Sequence, residues 1–428
     1  MKRIKLFFLV CLIFCFNIPI SIAQTNSLST SLDGIQQSEI QRLLDNWRVH
    51  SGIPSAAISI LLPNSSSPST FTTGSKVYQG VEKTTDATLF QIGSVTKSYT
   101  SAIILTLESE GKLDINDPIT RYLPQYAPRW QNITIKQLLN HTSGIYNYTE
   151  AGIFNSIRKE SPRAGFTPQQ IVHIALSHRN YFPSGEGFKY SNTNYVIAGM
   201  IIEKVTGQPI DQVLNHYLKG GFKLNLPNTY FASGLYTQGL MSRMANGYST
   251  DGENTLFENM SWANTAGGLV SNTQDLLTWW KGLFGGVVLP KKQMDEMMSL
   301  VCEKGGSNGH PGCSREHISD DEVGRGYGLG VMQTGWGSER VGTAWWHNGT
   351  TKGYEAIAMW FPKNNIYITM TIARNPGYFL KPTLPFFQRI LGVIVPGAEW
   401  RTAHTQKLNS VYAVRHHTIH ASHHHRHG

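Results

Sequence analysis

Strand-forming runs stand near both ends of this 428-residue chain, and a long helical stretch separates them. Ser55 to Leu62 is small and β-branched and stops at Pro63-Asn64; Tyr327 to Met332, Tyr354 to Phe361 and Ile366 to Ala373 carry the same character late in the sequence. Helical segments dominate between about 133 and 282, punctuated at Pro183-Ser184-Gly185 and Gly267-Gly268. Strands so far apart bury their apolar side chains by meeting, so the pattern predicts one mixed sheet assembled from both ends of the chain, with a helical lobe in the middle. An amphipathic helix over 37–48, a hairpin loop over 64–69, a buried helix over 94–110 and a closing helix over 382–395 complete an α+β frame.

The termini read differently from the body. Residues 1–23 join Lys2, Arg3 and Lys5 to the apolar run Leu6 to Phe16 and then Ser21-Ile22-Ala23, the pattern of a cleaved signal peptide and of a periplasmic or secreted product. The uninterrupted apolar run is too short to span ~30 Å of hydrocarbon. Residues 401–428 are His-rich with almost nothing apolar to bury, and read as a solvated tail. These two segments hold most of the formal charge of +9, so residues 24–400 carry only +2 and no basic stripe for nucleic acid. Past the signal, Cys302 and Cys313 are the only cysteines, and in an oxidising compartment they pair to close a short Gly/Ser/His-rich loop. Their spacing matches no zinc site, and no metal or cofactor is expected.

Chemistry concentrates in three short motifs. Ser-x-x-Lys occurs at Ser94/Lys97, Ser109/Lys112 and Ser156/Lys159, and only Ser94 opens a sustained apolar helix. Residues 94 and 97 lie one turn apart on one helical face. A serine hydroxyl needs a base to become a nucleophile, and a lysine among apolar neighbours loses its ammonium solvation and supplies one. A serine at a helix N-terminus also has backbone N–H donors suited to an oxyanion. Tyr190-Ser191-Asn192 adds a phenol able to exchange protons and an amide, that of Asn192, able to bind a substrate carbonyl. His347-Asn348-Gly349-Thr350 adds a histidine able to face a substrate carboxylate, a glycine that lets substrate backbone approach, and the Thr350 N–H as a second oxyanion donor. Similar patterns occur at His50, Lys219, Lys304 and His310, but only the copy at 347 leads into a strand.

In the order Ser-x-x-Lys, Tyr-x-Asn, His-x-Gly, with Phe90 to Ser94, Ile133 to Gly144 and Ala266 to Leu269 alongside, residues 35–395 resemble the serine β-lactamase and penicillin-binding protein superfamily, in its class C β-lactamase and D,D-peptidase-like branch. The resemblance implies an antiparallel sheet flanked by helices, a helical lobe above it, and a site in the cleft between them. It implies an acyl-enzyme on Ser94, with Lys97 and Tyr190 moving protons and Asn192, His347, Gly349 and Thr350 binding substrate. His347 stands where many β-lactamases of the branch carry lysine, which shifts the expected substrate from β-lactams toward D-peptides or esters. A D,D-carboxypeptidase, D-amino-acid peptidase or esterase is therefore expected, acting on a small-molecule or cell-wall peptide substrate. A weak class C-like β-lactamase, an acyltransferase and a non-catalytic muropeptide-binding protein are the alternatives. His141, in the segment near the site, reads as structural.

Overall fold

The computed structural model describes residues 30–303, 325–335, 340–374 and 380–398. The signal segment, the His-rich tail and Cys313 lie outside them, as do the histidines at 310 and 317.

Among the described residues eleven strands form two sheets: β1 (Ser55–Leu61), β2 (Ser69–Gly74), β3 (Phe90–Gln91), β4 (Tyr230–Phe231), β5 (Leu269–Ser271), β6 (Val301–Glu303), β7 (Arg325–Tyr327), β8 (Met332–Gly335), β9 (Thr343–Thr350), β10 (Glu355–Phe361) and β11 (Ile366–Ile372). Eight of them run in the order β2-β1-β11-β10-β9-β8-β7-β6, and β3-β5-β4 make a small second sheet. Sheet assembly from both ends is as expected, since β1 pairs with β11, residue 56 facing residue 372. Every pairing is antiparallel, so the sheet is not mixed.

Both faces of the sheet are covered, which is why β1 and β11 are buried along their whole length. One face packs Ile58, Ile357, Met359, Ile368 and Met370 under the helices Gly34–His50 and Leu380–Ile394, where Trp47 stacks on Phe386 at 4.6 Å. The other packs under the helix Thr273–Phe284. Trp280 of that helix donates to the Trp345 carbonyl at 3.3 Å, and Trp279 stacks on Tyr99 at 3.9 Å. Tyr99 belongs to the helix Thr96–Ser109, which with Asn192–Thr206 forms the middle of the helical lobe.

Two expectations change. Tyr327 to Met332 is not one strand, because Gly328 and Gly330 turn the chain between β7 and β8. Gly330 has φ +78°, and a side chain there would meet the Lys97 carbonyl at 2.8 Å. His347 lies inside β9 rather than on a loop before the next strand. The partner strand β8 pairs only as far as Trp346, whereas β10 continues to Thr350. Among the described residues no strand pairs with the β8-side edge of His347 to Thr350, and the turn Gly93–Val95 packs beside it.

Candidate active site

Ser94 sits in a single 3-10 turn, Gly93–Val95, that runs into the helix Thr96–Ser109. Gly93 has φ +48°, and a Cβ on it would lie 2.7 Å from the Thr350 nitrogen. A Cβ on Gly349 would lie 1.8 Å from the Ile92 carbonyl oxygen and 2.7 Å from the Ser94 nitrogen. The two glycines thus let strand and turn touch, and bring the backbone nitrogens of Ser94 and Thr350 to one gap. Two N–H donors there match the requirement for holding an oxyanion.

One turn on, Lys97 is fully buried. Its Nζ lies 2.7 Å from the Ala266 carbonyl, 2.8 Å from Asn192 Oδ1 and 3.0 Å from Ser94 Oγ. Burial pushes its pKa well below the ordinary lysine value, and among the described residues no carboxylate contacts it to offset that. The contacts suit a neutral amine: the two oxygens that only accept take its two N–H groups, leaving its lone pair to accept the Ser94 hydroxyl proton. The other Ser-x-x-Lys pairs are exposed at both members. Burial therefore separates the three copies that spacing does not.

Asn192 opens the helix Asn192–Thr206 and is held from three sides. Its N–H donates to Asn147 Oδ1 at 3.0 Å, its Nδ2 donates to Thr149 Oγ1 at 3.3 Å, and its Oδ1 accepts from Lys97. The Tyr190 ring lies 4.8 Å from Lys97 Nζ, with its phenol beside the Ser94 side chain. Burial raises the Tyr190 pKa above that of an ordinary phenol, so it stays protonated at neutral pH.

His347 meets a different fate from the one its position suggests. It is buried, its Nδ1 is 2.6 Å from the Asn348 carbonyl, and its Nε2 is 3.0 Å from the Tyr327 hydroxyl. A carbonyl only accepts, so Nδ1 carries the proton and Nε2 accepts from Tyr327. Burial, together with the nearby Lys97, lowers its pKa to about 3. Both ring nitrogens are engaged within the protein, and the ring presents neither charge nor a spare N–H to a substrate carboxylate.

Tyr327 is the residue sequence reasoning missed. Its side chain completes the site only because the Gly328 to Val331 turn folds β7 back along β8, the strand next to β9, and no local motif marks it. His141, with φ +62°, is buried against the Tyr190 ring at 4.3 Å. It accepts the Ser191 backbone N–H and the Asn194 amide, each at 3.2 Å, and so braces the Tyr190-Ser191-Asn192 turn as a structural residue.

Comparison with known proteins agrees with this geometry. The sequence matches the beta-lactamase family over residues 55–389. The chain belongs to the beta-lactamase family. It is a serine hydrolase of the beta-lactamase and penicillin-binding protein superfamily, with the expected antiparallel sheet and helices. Among relatives of this family, protein flp of Staphylococcus aureus (strain N315) is 26% identical over 363 residues, covering 82% of this chain and 66% of its own. The chain thus spans somewhat less than two thirds of that relative. A D-stereospecific amidohydrolase from Streptomyces sp. superposes with a TM-score of 0.68 at 28% identity, covering 84% of this chain and 99% of its own. A D-alanine carboxypeptidase AmpC from Burkholderia cenocepacia shares the fold, with a TM-score of 0.65 at 20% identity over 84% of this chain and 99% of its own. Among the described residues no helix is long and apolar enough to cross a membrane.

Proposed function

We propose that this protein is an exported serine hydrolase that forms an acyl-enzyme on Ser94 and cleaves amides or esters of D-amino acids whose leaving group carries no carboxylate. The observation that carries the reading is the buried Lys97 amine, 3.0 Å from Ser94 Oγ, with its other two contacts both to carbonyl oxygens. Lys97 is the first base, since burial favours its neutral form and favours the protonated form of Tyr190. Ser94 Oγ attacks the carbonyl carbon as its proton passes to Lys97. The oxyanion is held by the Ser94 and Thr350 N–H groups. Tyr190 delivers a proton to the leaving nitrogen or oxygen and is reprotonated from Lys97. Water then attacks the acyl-enzyme by the same route in reverse and regenerates Ser94.

The neutral, internally bonded His347 separates the substrate classes. A carboxypeptidase needs a donor or cation for the terminal carboxylate at this place, and a β-lactamase needs the same for the β-lactam carboxylate. An amide or simple ester does not. The 28% identical Streptomyces neighbour, a D-stereospecific amidohydrolase, supports the same choice. Export through residues 1–23 and a Cys302–Cys313 bridge belong to this proposal; intact mass of the mature protein under reducing and non-reducing conditions tests both.

The deciding experiment is mass spectrometry of wild type and Ser94→Ala after exposure to a D-amino acid ester, its amide, a D-Ala-D-Ala peptide and a penicillin. Acylation of Ser94 by ester and amide, weak acylation by the other two, and none in Ser94→Ala is the expected result. An adduct on Ser109 or Ser156, or a long-lived penicillin adduct with no amide turnover, overturns it. Transfer of the acyl group to an added amine in preference to water reassigns the protein as an acyltransferase.

A further inference from the structure

Glu258 is a buried carboxylate that bridges two cations from separate parts of the chain, Arg158 and Lys352. Its Oε2 is 2.9 Å from Arg158 Nη2 and its Oε1 is 3.1 Å from Lys352 Nζ. Lys352 also reaches Glu253 at 2.8 Å, and the Arg158 guanidinium lies over the Trp262 ring at 4.0 Å.

The elements that carry these residues are those that flank the site. Arg158 lies in the helix Gly152–Glu160, directly after the 147–150 segment that holds both the N–H and the Nδ2 of Asn192. Lys352 lies two residues past Thr350, in the turn from β9 to β10, and the neighbouring Gly353 is packed so closely on Thr255 that a Cβ would lie 2.0 Å from Thr255 Oγ1. The chain that carries Glu258 and Trp262 continues to Ala266, whose carbonyl accepts from Lys97. The Asn192 side and the Thr350 side are therefore tied together through Glu258.

The chemistry fixes which end of the cleft this is. The leaving group must face the proton donor Tyr190, whose ring is on the His347 side at 6.5 Å between centroids. The acyl part then runs the other way along the open edge of β9, past Thr350 and toward Lys352. We propose that the Arg158–Glu258–Lys352 bridge is the end wall of the acyl side of the cleft and makes the enzyme exo-acting, accepting one amino-terminal residue ahead of the scissile bond. The inference rests on the proposed Ser94 reaction. The bridge is a strong wall because its carboxylate is desolvated and doubly paired: opening it strands a buried charge, unlike breaking an exposed pair.

The test compares a D-amino acid amide with the same amide extended by one and by two residues on its amino side. The full chain is used as wild type, Lys352→Ala, Lys352→Arg and Glu258→Gln, with kcat/KM and the mass on Ser94 read together. Wild type should favour the unextended amide by about tenfold or more, and Lys352→Ala should reduce that preference severalfold, mainly through the KM of the extended substrates. Lys352→Arg keeps the charge and should retain the preference. Equal turnover of extended and unextended amides by wild type overturns the wall, as does an unchanged preference in both Lys352→Ala and Glu258→Gln. Absence of acyl-Ser94 with every amide sinks the Ser94 reaction instead, so the two failures are distinct.

Discussion

The Tyr327 hydroxyl donates to His347 Nε2 at 3.0 Å, and this contact decides what the third motif can do. With Nδ1 committed to the Asn348 carbonyl, the imidazole has no group left for substrate. We expect ring-nitrogen NMR to show one neutral tautomer from pH 5 to pH 8; a titration of His347 near its ordinary value of 6.5 would remove the argument against carboxylate substrates. Below 6.5 the unfolded chain binds a proton that folded His347 refuses until about pH 3, so this residue makes the fold less stable as pH falls through that window. Tyr327→Phe frees Nε2 and should raise activity toward a carboxylate-ended peptide, relative to an amide, below about pH 6.

Lys97→Met should lower the rate of Ser94 acylation by about 10²- to 10⁴-fold, measured by stopped-flow or mass spectrometry with an activated ester. Retention of the wild-type rate would exclude Lys97 as base. The same variant reports on stability. In the wild type the unfolded lysine binds a proton up to about 10.5 while the folded one releases it at lower pH, so stability rises with pH across that interval. Lys97→Met should flatten that rise in chemical denaturation.

Gly349→Ala places a methyl 1.8 Å from the Ile92 carbonyl oxygen and must push β9 away from the Ser94 turn. Separation of the two oxyanion nitrogens should cost about 100-fold or more in kcat/KM, with destabilisation of about 1–3 kcal/mol from overpacking. Near-normal kinetics in a folded Gly349→Ala protein would show that the close approach of strand and turn is dispensable.

Glu355 begins β10 fully buried, and neither carboxylate oxygen has a hydrogen-bond partner among the described residues. Burial raises its pKa to about 8. The folded state then holds a proton that the unfolded state loses near 4.5, so stability falls as pH rises from about 4.5 to about 8. Glu355→Met should raise Tm by several degrees at pH 8 and by much less at pH 5. A gain of equal size at both pH values would mean that the carboxyl is not titrating in the fold.

Much of this was legible in order rather than in place. The helix over 37–48, the strand from Ser55 and the helix from Ser94 could be read because each rests on a local run of apolar residues, and the structure moves their ends by only one to three residues. β9 was not read as a strand because Thr343 to Thr350 mixes two tryptophans with His347, Asn348 and Gly349 and shows no clean alternation. Its strand state comes from six pairings with β10 and four with β8, which its own residues do not announce. Tyr327 to Met332 looked continuous because apolar character alone does not register that Gly330 must turn against the Lys97 backbone.

By itself the sequence determined the reacting pair and its order among the motifs, because Ser94 and Lys97 are one helical turn apart and that spacing is local chemistry. The tertiary structure decided the electrical state of everything around that pair. Lys97 is depressed, Tyr190 stays protonated, His347 stays neutral and Glu258 is shared between Arg158 and Lys352 because each is buried beside partners from distant parts of the chain. Desolvation and long-range hydrogen bonding have no signature in the residues that flank a motif, which is why the sequence points to a serine hydrolase and the fold to the kind of substrate its cleft can accept.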